Sequence, residues 1–348
     1  MNLLSSAKQR LRRTIGPYIQ AMGYATGLMN LDARLRGVNG AIVLMYHSVA
    51  DHTLSRWIDP RNHVSADIFA QQVSFLARHK RVIALDELVV AIGRGQAVQE
   101  GTVVITFDDG YLDNLTVAAP ILHRYQMPAT LFLPSSYIDR GETQWVDQAY
   151  TAFQRRSERW LRWETGVEAR WDLGDPEQRR AAYWCVCRYL LQAGAERRRM
   201  LLNLLYERLQ PTAKPPRLTL TWDEVRRLLS DYPRFSLGGH TTEHLDLTAV
   251  PGGEAKKELT QCAQRIKEET GVQPRHFSFC YGRTSEPLRC LLVEAGVEAA
   301  FGACGHEPVV NAASDPLNLP RVEAPAAMDH FALATSIANR GLWRRLGR

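Results

Sequence analysis

Two adjacent carboxylates, Asp108 and Asp109, follow directly on the apolar run Val103-Val104-Ile105 and precede Gly110-Tyr111. A β-branched run of this kind reads as a buried strand. Both acids then sit at the strand's carboxyl edge, where a glycine lets the backbone turn away. Like charges this close repel unless a cation shares them or one carboxylate takes a proton. A metal ion beside a general base meets that condition; the alternative reading is an Asp-Asp-Gly turn that merely ends the strand and caps the next helix. The second feature is Gly238-Gly239-His240-Thr241-Thr242-Glu243-His244, which follows the short strand-like run Phe235-Ser236-Leu237. Histidines at i and i+4 share one face of a helical turn, so both rings can reach one ion. Alone, such a pair is ordinary on a solvated surface. With Asp109 it becomes a two-His, one-carboxylate set that leaves coordination positions open for water and substrate, the pattern of catalysis rather than of a structural staple.

The elements that must position these residues alternate in type. Strand-like runs recur at 41–46, 103–107, 129–133, 235–238, 277–281 and 299–303, with helical segments between most of them. Ser65 is placed to cap a helix over 66–80, Thr221 and Glu224 form a capping box for the next, and 254–270 and 285–295 follow the same logic. Alternating β and α predicts a parallel sheet. A chain of 348 residues has room for one large α/β domain with insertions, or for two smaller ones.

The run Thr106-Phe107-Asp108-Asp109-Gly110-Tyr111 is followed by Asp113-Asn114, Pro120-Ile121-Leu122 and Pro128-Ala129-Thr130-Leu131-Phe132. In this it resembles the NodB-type polysaccharide deacetylases of carbohydrate esterase family 4. Leu44-Met45-Tyr46-His47, the region around His240 and His244, and Phe277-Ser278-Phe279-Cys280-Tyr281-Gly282 extend the resemblance over residues 40–138 and 218–325. It implies a distorted (β/α) barrel in two parts with the active site at the strands' carboxyl ends. It implies a hydrolase that removes acetyl from an N-acetylated amino sugar, in a polysaccharide or glycan precursor such as an exopolysaccharide, and releases acetate. Asp109, His240 and His244 would hold a divalent ion, usually zinc in this family, and Asp108 would be the general base. Such an ion polarises the acetamide carbonyl and makes water more acidic. The backbone N–H of Tyr281 matches the family's second oxyanion donor, worth roughly 2.7–4 kcal/mol of transition-state stabilisation. The family's general acid is a protonated His, usually from a late motif. No Leu-His pair occurs late here, and permuted relatives look to use the early Tyr-His segment, so His47 is the candidate; the alternative is that it lines or braces the pocket. Many members carry Arg-Pro-Pro-Tyr-Gly where this chain has Ser278-Phe279-Cys280-Tyr281-Gly282, so the Arg that orients the base is missing. Arg321, in Leu319-Pro320-Arg321-Val322 after another strand-like segment, is the substitute, while Cys280 is either a fourth ligand or an inert packing group.

Residues 139–217 break the alternation: they are helix-prone, end in Pro211, Pro215 and Pro216, and read as a helical insertion between barrel units. Five of the eight tryptophans fall between Trp145 and Trp184, either packing helices onto the barrel or offering faces on which sugar rings stack. Trp145 and Asp147 come first after the preceding strand and are the candidates for lining the cleft. The net charge of +6 is concentrated at the ends: residues 1–36 hold six Lys or Arg against one acid, and 329–348 hold four against one. The remainder, 33 basic and 35 acidic residues, is not a nucleic-acid binder by charge, and no helix-turn-helix or zinc-finger pattern occurs. The basic ends, 1–39 and 326–348, read as helices, and Leu4, Leu11, Tyr18 and Met22 fall beside Lys8, Arg10, Arg12 and Arg13. Such helices either contact an anionic membrane peripherally or are simply solvated. No continuous apolar signal region stands out, no stretch reaches the ~20 apolar residues of a membrane span, and the six cysteines show no disulfide framework. The expectation is a cytoplasmic enzyme at the membrane's inner face acting on a soluble or lipid-linked sugar. The alternatives are an O-acetyl esterase or deformylase on a lipid-linked sugar, or an inactive barrel that binds glycans. The missing motif Arg favours the inactive barrel, and the intact Asp108, Asp109, His240 and His244 oppose it.

Overall fold

The computed structural model describes residues 40–164, 168–302 and 308–335. The segment 1–39 and most of 326–348, read above as basic helices, lie outside the described residues. The strands are β1 (Ala41–Tyr46), β2 (Arg81–Val82), β3 (Thr102–Phe107), β4 (Ala129–Leu133), β5 (Trp160–Glu164), β6 (Glu168–Asp172), β7 (Phe235–Gly239), β8 (His276–Ser278), β9 (Ala299–Phe301), β10 (Val309–Val310) and β11 (Val322–Glu323). The helices are α1 (Ala66–His79), α2 (Leu85–Gly93), α3 (Ala119–Arg124), α4 (Ser135–Arg140), α5 (Trp145–Arg155), α6 (Pro176–Gln192), α7 (Ala195–Leu209), α8 (Trp222–Asp231), α9 (Gly252–Thr270), α10 (Glu286–Glu294) and α11 (Met328–Ala334).

The strand-like runs become the parallel series β1-β3-β4-β7-β8-β9, in which β3 and β4 are buried along their whole length. Strands without alternation must be covered on both faces, and the crossover helices supply that cover. The series closes on itself through one segment: Leu319 bridges to Phe301 of β9, and three residues later Val322 pairs with Leu44 of β1, both in parallel. The result is a distorted (β/α) barrel with its carboxyl ends on one side. Two caps form as the sequence predicts. Ser65 accepts from the amide of Ile68 at the start of α1, and Thr221 and Glu224 make a reciprocal capping box on α8. The Tyr46, Phe69 and Phe107 rings cluster with centroids 5.1–5.9 Å apart, and Tyr46 donates to Gln72 Oε1 at 2.8 Å. This fixes α1 against the strand ends from which His47 and Asp108 emerge.

The stretch 139–217 is not wholly helical. Within it β5 and β6 pair as an antiparallel hairpin, with Leu161 and Trp163 buried and Trp160 45% exposed. The period-two alternation of Trp160-Leu161-Arg162-Trp163 carries that strand, which is short and arginine-bearing rather than a long apolar run. Around Trp163 the insertion builds its own core from Phe153, Leu161, Val186, Leu190, Leu202 and Leu205. Trp145 and Trp163 therefore pack protein, whereas Trp184 on α6 stays half exposed. Among the described residues, no helix is long and apolar enough to cross a membrane.

Candidate active site

Four parallel strands deliver their following residues to one place: β1 to His47, β3 to Asp108 and Asp109, β7 to His240, and β8 to the 280–282 turn. The backbone there is locally unusual. Asp109 (φ 71°), Thr241 (φ 64°), His244 (φ 50°) and Tyr281 (φ 58°) all occupy the left-handed region. Outside glycine this region is uncommon, and such residues cluster where surrounding structure enforces them for function. Gly238 cannot be replaced for a different reason, since a Cβ at that position would overlap the Phe132 ring.

Arg321 precedes β11, on the segment that closes the barrel, and this brings it to Asp108 across 213 residues of sequence. Its Nη1 donates to Asp108 Oδ1 at 2.8 Å and its Nη2 to Oδ2 at 2.6 Å, a bidentate pair in which both side chains are 1–3% exposed. Ser278 Oγ accepts from Arg321 Nη2 at 2.7 Å and donates to Asp108 Oδ2 at 3.1 Å. Burial pushes the Asp108 carboxyl up, but the Arg321 guanidinium and the His240 imidazole outweigh it and hold the group below its ordinary value. Asp108 is thus an ionised carboxylate with a fixed orientation.

The neighbouring carboxylate has a different environment. Asp109 Oδ1 is fully buried and makes no hydrogen bond, although His244 Nε2 lies 3.1 Å away and His240 Nε2 3.4 Å away. The outer nitrogens of both rings are engaged elsewhere. A carbonyl can only accept, so the 2.7 Å contact of His240 Nδ1 with the Ser278 carbonyl puts a proton on Nδ1 and turns Nε2 toward Asp109. The Tyr281 hydroxyl receives Trp145 Nε1–H at 2.9 Å and lies 3.3 Å from the His244 carbonyl and 3.1 Å from His244 Nδ1. Both Nε2 atoms therefore converge on one buried carboxylate oxygen. Ligands about 2.0–2.1 Å from a tetrahedral ion sit about 3.3 Å from one another, so these separations suit a shared divalent cation. Ring nitrogens of His240 and His244 and Cys280 Sγ also come within 4.8 Å of one another. However, Sγ lies 3.9 Å from the protonated Nδ1 of His240, and the thiol donates to the His240 carbonyl at 3.5 Å. That places it behind the ring, against the backbone.

The site opens into a cleft of about 630 Å³ whose lining includes His47, Trp145, Tyr281 and, on the α6 side, Trp184 and Arg188. His47 is held by its backbone: its carbonyl accepts from Asn114 Nδ2 at 2.8 Å, while Asp113 accepts from Ser48 Oγ at 2.6 Å and from the Val49 amide at 2.9 Å. Asp147 does not line this cleft. It is fully buried beneath it, accepting from the Asp59 amide at 2.8 Å and from Tyr111 Oη at 2.7 Å, and burial pushes its carboxyl up to about 8. It faces inward because Trp145, two residues earlier on α5, takes the cleft side. Ser278 was legible only as the position where a motif arginine is lacking; its two hydrogen bonds depend on the barrel's closure.

Known proteins share this architecture. The solved structure of IcaB from Ammonifex degensii superposes with a TM-score of 0.56 at 18% identity, over 86% of this chain and 97% of that one. The deacetylase PplD of Streptococcus pyogenes, in complex with acetate, gives 0.55 at 16% identity over 85% and 97%. A de-N-acetylase from Aggregatibacter actinomycetemcomitans gives 0.52 at 17% identity over 81% and 94%. In sequence, YxkH of Bacillus subtilis (strain 168) is 32% identical over 92 residues, which span 26% of this chain and 30% of YxkH. The sequence model described as "Polysaccharide deacetylase" matches residues 95–300, more than half of the chain and including Asp108, Asp109, His240, His244 and Tyr281. The chain belongs to the polysaccharide deacetylase family.

Proposed function

We propose that this protein is a metal-dependent deacetylase that hydrolyses the N-acetyl group of an amino sugar within a glycan. The observation that carries the reading is the buried Asp109 Oδ1 facing the Nε2 atoms of two imidazoles, beside a second carboxylate locked by Arg321. Asp109, His240 and His244 would hold the ion, for which zinc suits the ligand set. When bound, it would supply polarisation of the acyl carbonyl and acidify water. Asp108, ionised and oriented, takes the proton of the attacking water as its oxygen bonds to the acetyl carbon. The backbone amide of Tyr281 donates to the oxygen on which negative charge develops. As the C–N bond breaks, His47 delivers a proton to the departing nitrogen, giving acetate and a free amine. Trp184, half exposed in the cleft, offers an aromatic face to a sugar ring.

The test is release of acetate together with a free amine from N-acetylglucosamine oligomers, run beside O-acetylated and N-formylated sugars. Stoichiometric amine and acetate support the proposal. Acetate without amine, or formate alone, would replace it with the esterase or deformylase reading.

The pH dependence of metal binding gives a separate check. In the metal-free protein burial pulls the His244 imidazolium down, but negative charge on the Cys280 sulfur and on the Asp109 carboxylate beside it outweighs that and pushes it up to about 9. A divalent ion must expel this proton, so affinity should rise with pH, by up to about tenfold per unit per proton, until near pH 9. Calorimetric titration with zinc in buffers of different ionisation enthalpy would reveal the release. An affinity flat between pH 6 and 9, with no protons released, contradicts the assignment of His244.

A further inference from the structure

A buried acid and a buried arginine grip the turn that carries both histidines, and the arginine comes from the insertion. Thr241 and His244 are left-handed without being glycine, a conformation that persists only where neighbours enforce it. On one side stands Glu258 of α9, 7% exposed, whose Oε2 accepts the amides of Thr242 at 2.9 Å and Glu243 at 2.8 Å. On the other stands Arg198 of α7, 2% exposed, whose Nη1 donates to the carbonyls of His244 at 3.0 Å and Glu243 at 3.3 Å. The rest of the guanidinium is tied to the insertion: Nε donates to the Leu190 carbonyl at 2.9 Å and Nη2 to that of Ala193 at 3.3 Å.

Among the described residues no carboxylate pairs with this buried arginine. Its charge is met by carbonyls at the C-terminal end of α6, where the helix dipole is negative, by the Tyr137 hydroxyl and by the Trp145 ring 5.5 Å away. A cation whose hydrogen bonds go largely to carbonyls fixes backbone, and part of the backbone it fixes belongs to His244. We propose that Arg198 is a positioning residue for the metal centre. With Glu258 it clamps the His240–His244 turn, so the insertion helps to build the metal site as well as roofing the cleft. This inference rests on the metal reading given above.

The test is zinc titration of the metal-free full-length protein against a chelating dye. It compares wild type with Arg198→Met, Arg198→Lys, Glu258→Gln and the exposed control Arg180→Met, which alters an ion pair with Glu177 on the same insertion. Removing a group that orients a ligand typically weakens metal affinity by roughly 10–100-fold, the shift expected for Arg198→Met. Arg198→Lys keeps the charge but reaches fewer carbonyls, so it should fall between Met and wild type. Glu258→Gln should weaken binding, and Arg180→Met should leave it unchanged. The rise in melting temperature on adding zinc should shrink in the same order, which a purely structural arginine would not produce. A folded Arg198→Met that binds zinc as wild type does overturns the clamp. If that variant does not fold, wild-type affinity in both Arg198→Lys and Glu258→Gln overturns it equally. A wild type that binds no zinc removes the metal reading itself and the clamp with it, so the two failures are distinct.

Discussion

Asp108→Asn should keep its metal and lose turnover, whereas His240→Ala should lose both. The asparagine has the carboxylate's shape and stays within reach of Arg321 and Ser278, so Asp109, His240 and His244 are left in place. What disappears is the acceptor for the water proton, and such general-base terms are worth roughly 10²–10⁴ in rate. One oxygen of the wild-type carboxylate accepts from Arg321 Nη1 and the other from Arg321 Nη2 and Ser278. An amide nitrogen turned toward either set places donor against donor, which adds a loss of orientation to the loss of basicity. His240→Ala deletes one of the two imidazoles aimed at Asp109 and frees the Ser278 carbonyl that holds its ring. Metal content by elemental analysis, paired with acetate release in one preparation of each protein, separates the roles. Asp108→Asn turning over within a few-fold of wild type while fully metallated would remove Asp108 as the base.

Much of this arrangement is local in the sequence. The runs that become β1, β3 and β4 are mostly apolar without alternation, and that pattern marks a strand covered on both faces whatever lies far away in the chain. Asp108 beside Asp109, and His240 four residues before His244, are juxtapositions that need no tertiary information. Arg321 is intermediate: its sequence says only that an arginine follows a strand-like segment. Its meeting with Asp108 depends on Leu319 bridging to β9 and Val322 pairing with β1. Glu258 and Arg198 escape sequence reasoning because each acts through backbone groups of a distant turn, and Ser278 because its hydroxyl meets Asp108 and Arg321 only once the barrel closes; nothing in the type of a serine, glutamate or arginine announces such partners. The hairpin of β5 and β6 escapes for a different reason, since its alternation is short and each strand carries an arginine and at least one acidic residue. Asp147 was legible as a residue near the cleft mouth. Which way it faces is decided by the rotation of α5, and that is set by Trp145 reaching Tyr281.

Arg321→Met should have the largest effect on stability, and its pH dependence identifies the cause. In wild type the folded Asp108 binds its proton more weakly than the unfolded carboxyl, whose pKa is about 3.9. The pair therefore contributes stability above that pH and loses it as the pH falls through the lower folded value. Remove the guanidinium and burial becomes the dominant influence on Asp108, so the folded carboxyl binds its proton more tightly than the unfolded one. The dependence then reverses, and stability declines as the pH rises toward neutrality. Stranding one partner of a buried pair typically costs about 3–5 kcal/mol, and at neutral pH the variant should show a loss of that order. Near pH 4 the loss should be smaller, because a protonated Asp108 has no charge to strand. Denaturant unfolding of metal-free wild type and variant across pH 4–8 measures both quantities. Activity should follow the same carboxyl, with the acid limb of the pH–rate profile moving to higher pH in Arg321→Met and less far in Arg321→Lys, which keeps the charge but not the two-pronged contact. Unfolding curves that stay parallel across the pH range, together with an unmoved acid limb, would show that Arg321 braces the barrel's closing segment without setting the charge of Asp108.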